Sequence, residues 1–206
     1  FVIGINQMDF TLKRNSSFTL NPTSDGIVDM YSVEAAPMMG FNVGIITNLR
    51  LNDHFDFRFI PELSFGDRNL VYTYKDTSLR IGVVQETKKI ESTFVEFPFL
   101  LKYKGVRLHN VRPYLIGGLK YSMDLASQAK KKKDEGDDES IVKLKRDDIA
   151  VETGVGFDFY LKYFKFATEV KMSYGLTNVL KKDPSIYTNP IDKLNSKIFI
   201  LSFLFE

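Results

Sequence analysis

The chain of 206 residues is long enough for one sizeable domain, and no Gly/Ser-rich linker divides it, so residues 1–206 read as a single domain. It has no cysteine, which excludes a disulfide framework, a thiolate metal site and a cysteine nucleophile, and its net charge of +2 offers no one-sign field of the kind that nucleic acid selects. Tryptophan is absent while 18 Phe and 10 Tyr are present, and no run reaches the roughly 18 apolar residues of a membrane-spanning helix.

Eight segments instead alternate apolar and polar residues with a period of two, as extended strands do when successive side chains point to opposite faces. FVIGINQMDF sets Ile3 and Ile5 against Gly4 and Asn6, and loses the alternation after Gln7. GFNVGIITNLRL sets Phe41, Val43, Ile45 and Leu49 against Asn42, Gly44 and Asn48. FDFRFIPELSFG places Phe55, Phe57, Phe59, Leu63 and Phe65 opposite Asp56, Arg58, Glu62 and Gly66. FVEFPFLLKYK opposes Val95, Phe97, Phe99, Leu101 and Tyr103 to Glu96, Pro98, Leu100 and Lys102. RPYLIGGLKYSMDL carries Leu115, Leu119, Tyr121 and Met123 on one side, with Arg112, Tyr114, Gly118, Lys120 and Asp124 on the other. VETGVGFDFY divides into Val151, Val155, Phe157 and Phe159 against Glu152, Gly154, Gly156 and Asp158. FKFATEVKMSYG divides into Phe164, Phe166, Val170, Met172 and Tyr174 against Lys165, Glu169, Lys171 and Gly175. KIFILSFLFE is apolar on both parities, and Ser202 and Glu206 assign Phe199, Leu201, Phe203 and Phe205 to the outer row.

The connections alternate as well. Residues 11–36, 67–91, 126–147 and 176–194 read as long, while 52–54, 105–111 and 161–163 read as short. Tight turns at one end and long loops at the other belong to an up-and-down antiparallel barrel of the outer-membrane type, whose strands need only about ten residues with every second one apolar. The expectation is an all-β, eight-stranded antiparallel transmembrane barrel with short periplasmic turns, long external loops and both termini periplasmic. Four prolines in or near strands, Pro37, Pro61, Pro98 and Pro113, predict bulges, because a closed sheet has no edge to hide a missing donor.

Parity alone does not say which face is wet, since soluble barrels of the lipocalin kind put apolar residues inside. Two observations favour the inverted arrangement. Glycine keeps company with the charges (Gly44, Gly66, Gly118, Gly154, Gly156, Gly175), as a narrow lumen crowded by long ionic side chains requires. The charged face is also nearly balanced: Arg58, Lys102, Arg112, Lys120, Lys165 and Lys171 stand against Asp56, Glu62, Glu96, Asp124, Glu152, Asp158 and Glu169. An enclosed space demands such pairing, because a buried ion without a partner costs several kcal/mol. These thirteen residues are therefore assigned to an ion-pair network in the lumen. Phe57, Phe59, Leu63, Phe97, Phe99, Leu119, Phe157, Phe166, Val170 and Phe203 are assigned to the lipid-facing wall, where a Lys or Arg would cost about 2–4 kcal/mol at mid-depth.

No catalytic, cofactor or metal residue is assigned. His54 and His109 fall in short turns without a Ser/Asp constellation, which disfavours a lipid-modifying envelope enzyme, and the regular spacing of Glu62, Glu96, Glu152 and Glu169 fits ion pairing better than acid/base work. The tract KKKKDEGDDES at 130–140 is a basic block followed by an acidic one, read as a solvated loop excursion whose own charges cancel any pull on nucleic acid. An eight-stranded interior is just wide enough to be filled by side chains, so the barrel is not expected to conduct. A soluble ligand-binding barrel and a lipid-modifying enzyme remain the alternative readings.

Several stretches, among them IESTFVEFPFLLKYK, RPYLIGGLKYSMDLASQ, GFNVGIITNLRLNDHFDFRFIPELSFGDR and SKIFILSFLFE, resemble the PorT/SprT family of Bacteroidetes outer-membrane barrels over about two-thirds of the chain. The resemblance implies a non-enzymatic accessory or assembly role in type IX protein secretion and the associated gliding motility. It implies other secretion components and outer-membrane lipid as partners, and it carries over no functional residues.

Overall fold

The computed structural model describes residues 1–14, 27–76, 84–126, 144–181 and 191–206, and within these the alternating segments form eleven antiparallel strands. They are β1 (Val2–Arg14), β2 (Ile27–Ala36), β3 (Met38–Gly44), β4 (Thr47–Arg50), β5 (Phe55–Phe59), β6 (Glu62–Asp76), β7 (Val84–Lys104), β8 (Val111–Asp124), β9 (Asp147–Tyr160), β10 (Lys165–Gly175) and β11 (Ile191–Phe205). Eight of them close a ring in the order β1, β3, β6, β7, β8, β9, β10, β11 and back to β1. β2 and β4 prolong the line of β3, and β5 prolongs the line of β6. Phe41 faces Phe65 and Thr47 faces Phe59, so one register runs through both pieces of that hairpin. The chain is thus an eight-stranded up-and-down antiparallel barrel.

The prolines explain the interruptions, though not all as expected. Pro37 separates β2 from β3, and Pro61 separates β5 from β6. Pro98 and Pro113, by contrast, sit inside β7 and β8 with no shift of register, which corrects the expectation of bulges there. In an antiparallel ladder the N–H and C=O of one residue point the same way. The Pro98 carbonyl accepts from the Ile60 N–H at 3.3 Å, so its missing donor faces the interruption at Pro61. The Pro113 carbonyl accepts from the Gly105 N–H at 2.9 Å, just past the end of β7.

Two expected loops are mostly strand. β1 runs on to Arg14 and β2 begins at Ile27, while β6 and β7 fill most of 67–91 and leave only 77–83 between them. The 21 residues of β7 extend roughly 70 Å, or about 50 Å along the axis at a tilt near 45°, well beyond the ~30 Å hydrocarbon layer. Its upper part therefore forms a collar in water, and there the two faces exchange character. Phe10, Val33, Leu70, Tyr72, Ile90, Ile191 and Leu194 point inward as an apolar cluster. Thr11, Lys13, Thr87, Lys89 and Glu91 point outward, with Lys89 paired to Asp67 at 3.0 Å. Val179 and Leu180, from the stretch after β10, fold over this end and complete the cluster; the Val179 N–H donates to Leu194 O at 2.9 Å. The tract at 130–140 lies outside the described residues.

Candidate functional site

Inward residues read up β5 and β6 as Asp56, Arg58, Ile60, Glu62, Ser64, Gly66, Arg68, Leu70 and Tyr72, and this sequence sets the layers of the lumen. Nearest the short turns lies an ionic tier. Lys104 pairs with Asp56, and Lys102 binds both oxygens of Asp158 at 2.6 and 2.8 Å. Arg58, fully buried, pairs with Glu169 and reaches Glu206 at 2.9 Å, and Glu206 in turn pairs with Lys165. Tyr114 ties the tier together: its hydroxyl donates to Glu169 at 2.6 Å, and its ring lies 3.6 Å from the Lys102 ammonium. The ring has room because Gly156 faces it, where a Cβ would sit 2.4 Å from Tyr114 Cζ. Val2, Ile60, Leu100, Ile116, Ala167 and Leu204 pack around these groups.

The second tier contains three carboxylates and two ammonium groups, all buried. Glu152 bridges Lys171 at 3.0 Å and Lys120 at 3.5 Å; Lys120 also meets Glu96 at 2.8 Å, and Lys171 meets Glu62 at 4.0 Å. Glu62 and Glu96 stand directly opposite each other on β6 and β7, and Glu62 accepts from the Asn42 amide at 2.7 Å. The third tier is built on Arg68, whose guanidinium donates to Ser92 at 2.7 and 3.1 Å and faces Asp124 at 3.6 Å. The rings of Phe10 and Phe94 sandwich it at 4.4 and 4.9 Å. Above it the apolar cluster of the collar closes the bore.

Of the thirteen residues assigned to the lumen, Asp56, Arg58, Glu62, Glu96, Lys102, Lys120, Asp124, Glu152, Asp158, Glu169 and Lys171 are buried inside the ring. They form separate tiers rather than one continuous network, because apolar inward residues such as Ile60 intervene. Lys165 lies at the rim. Arg112 is a correction: it points along the same face but lies at the turn end and donates to the backbone carbonyls of Gly105 and Asp53, at 2.9 and 3.2 Å. Sequence reasoning missed Lys104, Arg68, Asp148 and Glu206. Lys104 continues the parity of Lys102 by one step, whereas Arg68 lies beyond the point where the alternation changes phase. Asp148, buried, accepts from the Thr177 hydroxyl.

All ten residues assigned to the outer wall lie on the outward face. Leu119 and Val170 are the most open, at 55% and 56%, and Phe57, Leu63, Phe99 and Phe157 are exposed as well. Phe59, Phe97, Phe166 and Phe203 are half-buried because neighbouring rings cover them: Phe59 stacks on Phe99 at 4.9 Å, and Phe166 on Phe203 at 6.2 Å. Near the short turns, Phe1, Phe164, Phe166 and Phe205 gather into an aromatic band, with Phe55 against Tyr103 further round the wall. His54 and His109 lie in the short turns.

The profile of the family described as "Outer membrane protein beta-barrel domain" matches residues 3–181. No curated protein matches the chain. Among solved structures, the outer membrane protein OprG from Pseudomonas aeruginosa is similar, with 18% identity and a TM-score of 0.37, covering 99% of this chain and 91% of that one.

Proposed function

The chain belongs to the outer membrane protein beta-barrel domain family, and from that premise we propose that it is a non-conducting, non-enzymatic barrel that works through protein–protein contacts. The observation that carries this reading is the filled bore. Three ionic tiers and an apolar cluster occupy successive levels inside the ring. An ion crossing it would have to separate buried pairs, each costing several kcal/mol to break. Function then resides on the outer wall, the loops and the turns. The short-turn end, with Phe1 and Phe205 paired at the same end, faces the periplasm in this reading.

The narrower reading, an accessory or assembly role in type IX secretion and gliding motility, rests on the sequence resemblance to the PorT/SprT barrels. Two experiments address the two levels separately. In planar bilayers the purified barrel is expected to give no stable conductance steps, and long-lived open channels would refute the filled-bore reading. In a deletion strain, cargo bearing the C-terminal secretion domain is expected to accumulate inside the cell envelope. Normal surface delivery would refute the secretion role and leave the barrel reading standing.

A further inference from the structure

Two neighbouring short turns carry cations that the lumen does not use. Between Gly105 and Arg112, and again between Leu161 and Lys165, the chain holds no acidic residue. The turns are joined, since the Tyr160 N–H donates to the Asn110 carbonyl at 2.8 Å. Arg107 lies with its guanidinium carbon 4.0 Å from the centre of the Tyr160 ring, and its Nε donates to the His109 carbonyl at 2.8 Å. His109 has φ of 55°, the left-handed conformation that the two-residue turn between the paired residues Leu108 and Val111 calls for. That backbone conformation presents the carbonyl that orients Arg107. On the adjoining turn the Lys162 ammonium sits 5.5 Å from the Tyr163 ring centre. Among the described residues neither Arg107 nor Lys162 has a carboxylate within ion-pair distance.

Here the cation is held by a ring and by a carbonyl at Nε, and among the described residues neither terminal guanidinium nitrogen has a hydrogen-bond partner. The cations are flanked by Val106, Leu108 and Tyr163, exposed at 79%, 66% and 86%, and stand just below the aromatic band of Phe164 and Phe205. Apolar tips beside unpaired cations at the foot of an aromatic band fit the level at which lipid phosphates sit. We propose that the face formed by Arg107 and Lys162 binds the phosphate of anionic phospholipid headgroups in the adjoining leaflet, with Val106, Leu108 and Tyr163 entering the acyl boundary. The inference rests on the chain being a membrane-embedded barrel and not on the secretion role.

The test reconstitutes the 206-residue barrel in nanodiscs of phosphatidylcholine with a minor share of phosphatidylglycerol, then counts retained lipids by native mass spectrometry. Wild type is expected to retain phosphatidylglycerol selectively. The double variant Arg107→Gln with Lys162→Gln is expected to lose about 30-fold of that preference, from about a factor of five for each cation near an anionic surface. Arg50→Gln is the control, because Arg50 is already paired with Asp53 on the third turn. Equal retention of the two lipids by wild type, or unchanged selectivity in the double variant, overturns the proposal. So does displacement of phosphatidylglycerol by millimolar sn-glycerol 3-phosphate, which would identify a site for soluble phosphate instead. A conductance result has no bearing on this measurement, so its failure and that of the filled-bore reading are distinguishable.

Discussion

The second ionic tier permits a comparison in which net charge is held constant and only contacts change. Glu62→Gln and Glu152→Gln each turn a set of three carboxylates and two ammonium groups into two and two. Glu152 bridges both lysines at 3.0 and 3.5 Å, whereas Glu62 touches one, at 4.0 Å. At an effective dielectric of about 20, the corresponding attractions are roughly 5.5, 4.7 and 4.2 kcal/mol. Removing Glu152 forfeits roughly 10 kcal/mol, offset in part by the several kcal/mol recovered when one ion no longer needs desolvating, which leaves a loss of about 3 kcal/mol. Removing Glu62 forfeits roughly 4 kcal/mol, less than the same recovery, and also relieves repulsion from Glu96 across the strand pair, so Glu62→Gln is expected to leave stability unchanged or raised. The glutamine oxygen also still accepts from Asn42. Reversible unfolding by guanidinium from phospholipid vesicles, followed by tyrosine fluorescence, measures the difference. Equal destabilisation by the two variants would show that this tier responds to total charge and not to the contacts described.

Three further outcomes follow from the packing. Val155→Arg, on the outward face of β9 in the apolar belt, is expected to cost about 2–4 kcal/mol, while Thr87→Arg on the outward face of the collar stays within about 0.5 kcal/mol; parallel unfolding titrations check this, and equal costs would place both positions in one medium. Gly156→Val drives a side chain into the Tyr114 ring and is expected to cost about 1–3 kcal/mol; Gly156→Val combined with Tyr114→Ala should recover part of the loss, and additivity of the two would deny the contact. Leu180→Ala is expected to cost about 2–5 kcal/mol through a cavity in the collar cluster yet leave bilayer conductance at baseline, because the ionic tiers below still fill the bore.

The strand faces in the membrane zone were legible because two demands coincide there. Lipid requires apolar residues outside, and a narrow lumen requires paired ions and glycines inside, so every second residue reports its side. Asp56, Arg58 and Glu62 against Phe57, Phe59 and Leu63 state this in eight residues. The tiers were not legible, because parity gives a face and no height: whether Glu152 meets Lys120, Lys171 or both depends on strand stagger. Arg112 shares the parity of Lys120 yet reaches only turn carbonyls, since it stands four strand steps nearer the rim. Glu206 continues the inward parity of Ser202 and Leu204 past β11, but parity does not show that it reaches Arg58.

The collar shows the opposite case, in which the signal was present and its meaning depended on the surrounding medium. In the third segment the apolar residues are odd-numbered through Phe65, and beyond Gly66 they are even-numbered, Leu70 and Tyr72. The first segment changes phase the same way, from Ile3 and Ile5 to Met8 and Phe10, and going up β7 the odd-numbered Phe99, Phe97 and Val95 give way to Phe94 and Ile90. A phase change in alternation has two physical causes, a bulge that rotates the strand or an exchange of the media on its two sides. Between Glu62 and Tyr74 the pairing of β6 with β7 keeps one register, with Gly66 opposite Ser92 and Leu70 opposite Lys88. A bulge is therefore excluded on that pair, and the exchange of media remains. The wall passes there from lipid into water, and with lipid no longer claiming the apolar residues they turn inward and close the bore. Three strands changing phase at neighbouring positions in the ring thus mark one membrane boundary. The same comparison made on sequence alone would have joined residues 67–76 and 84–91 to their strands.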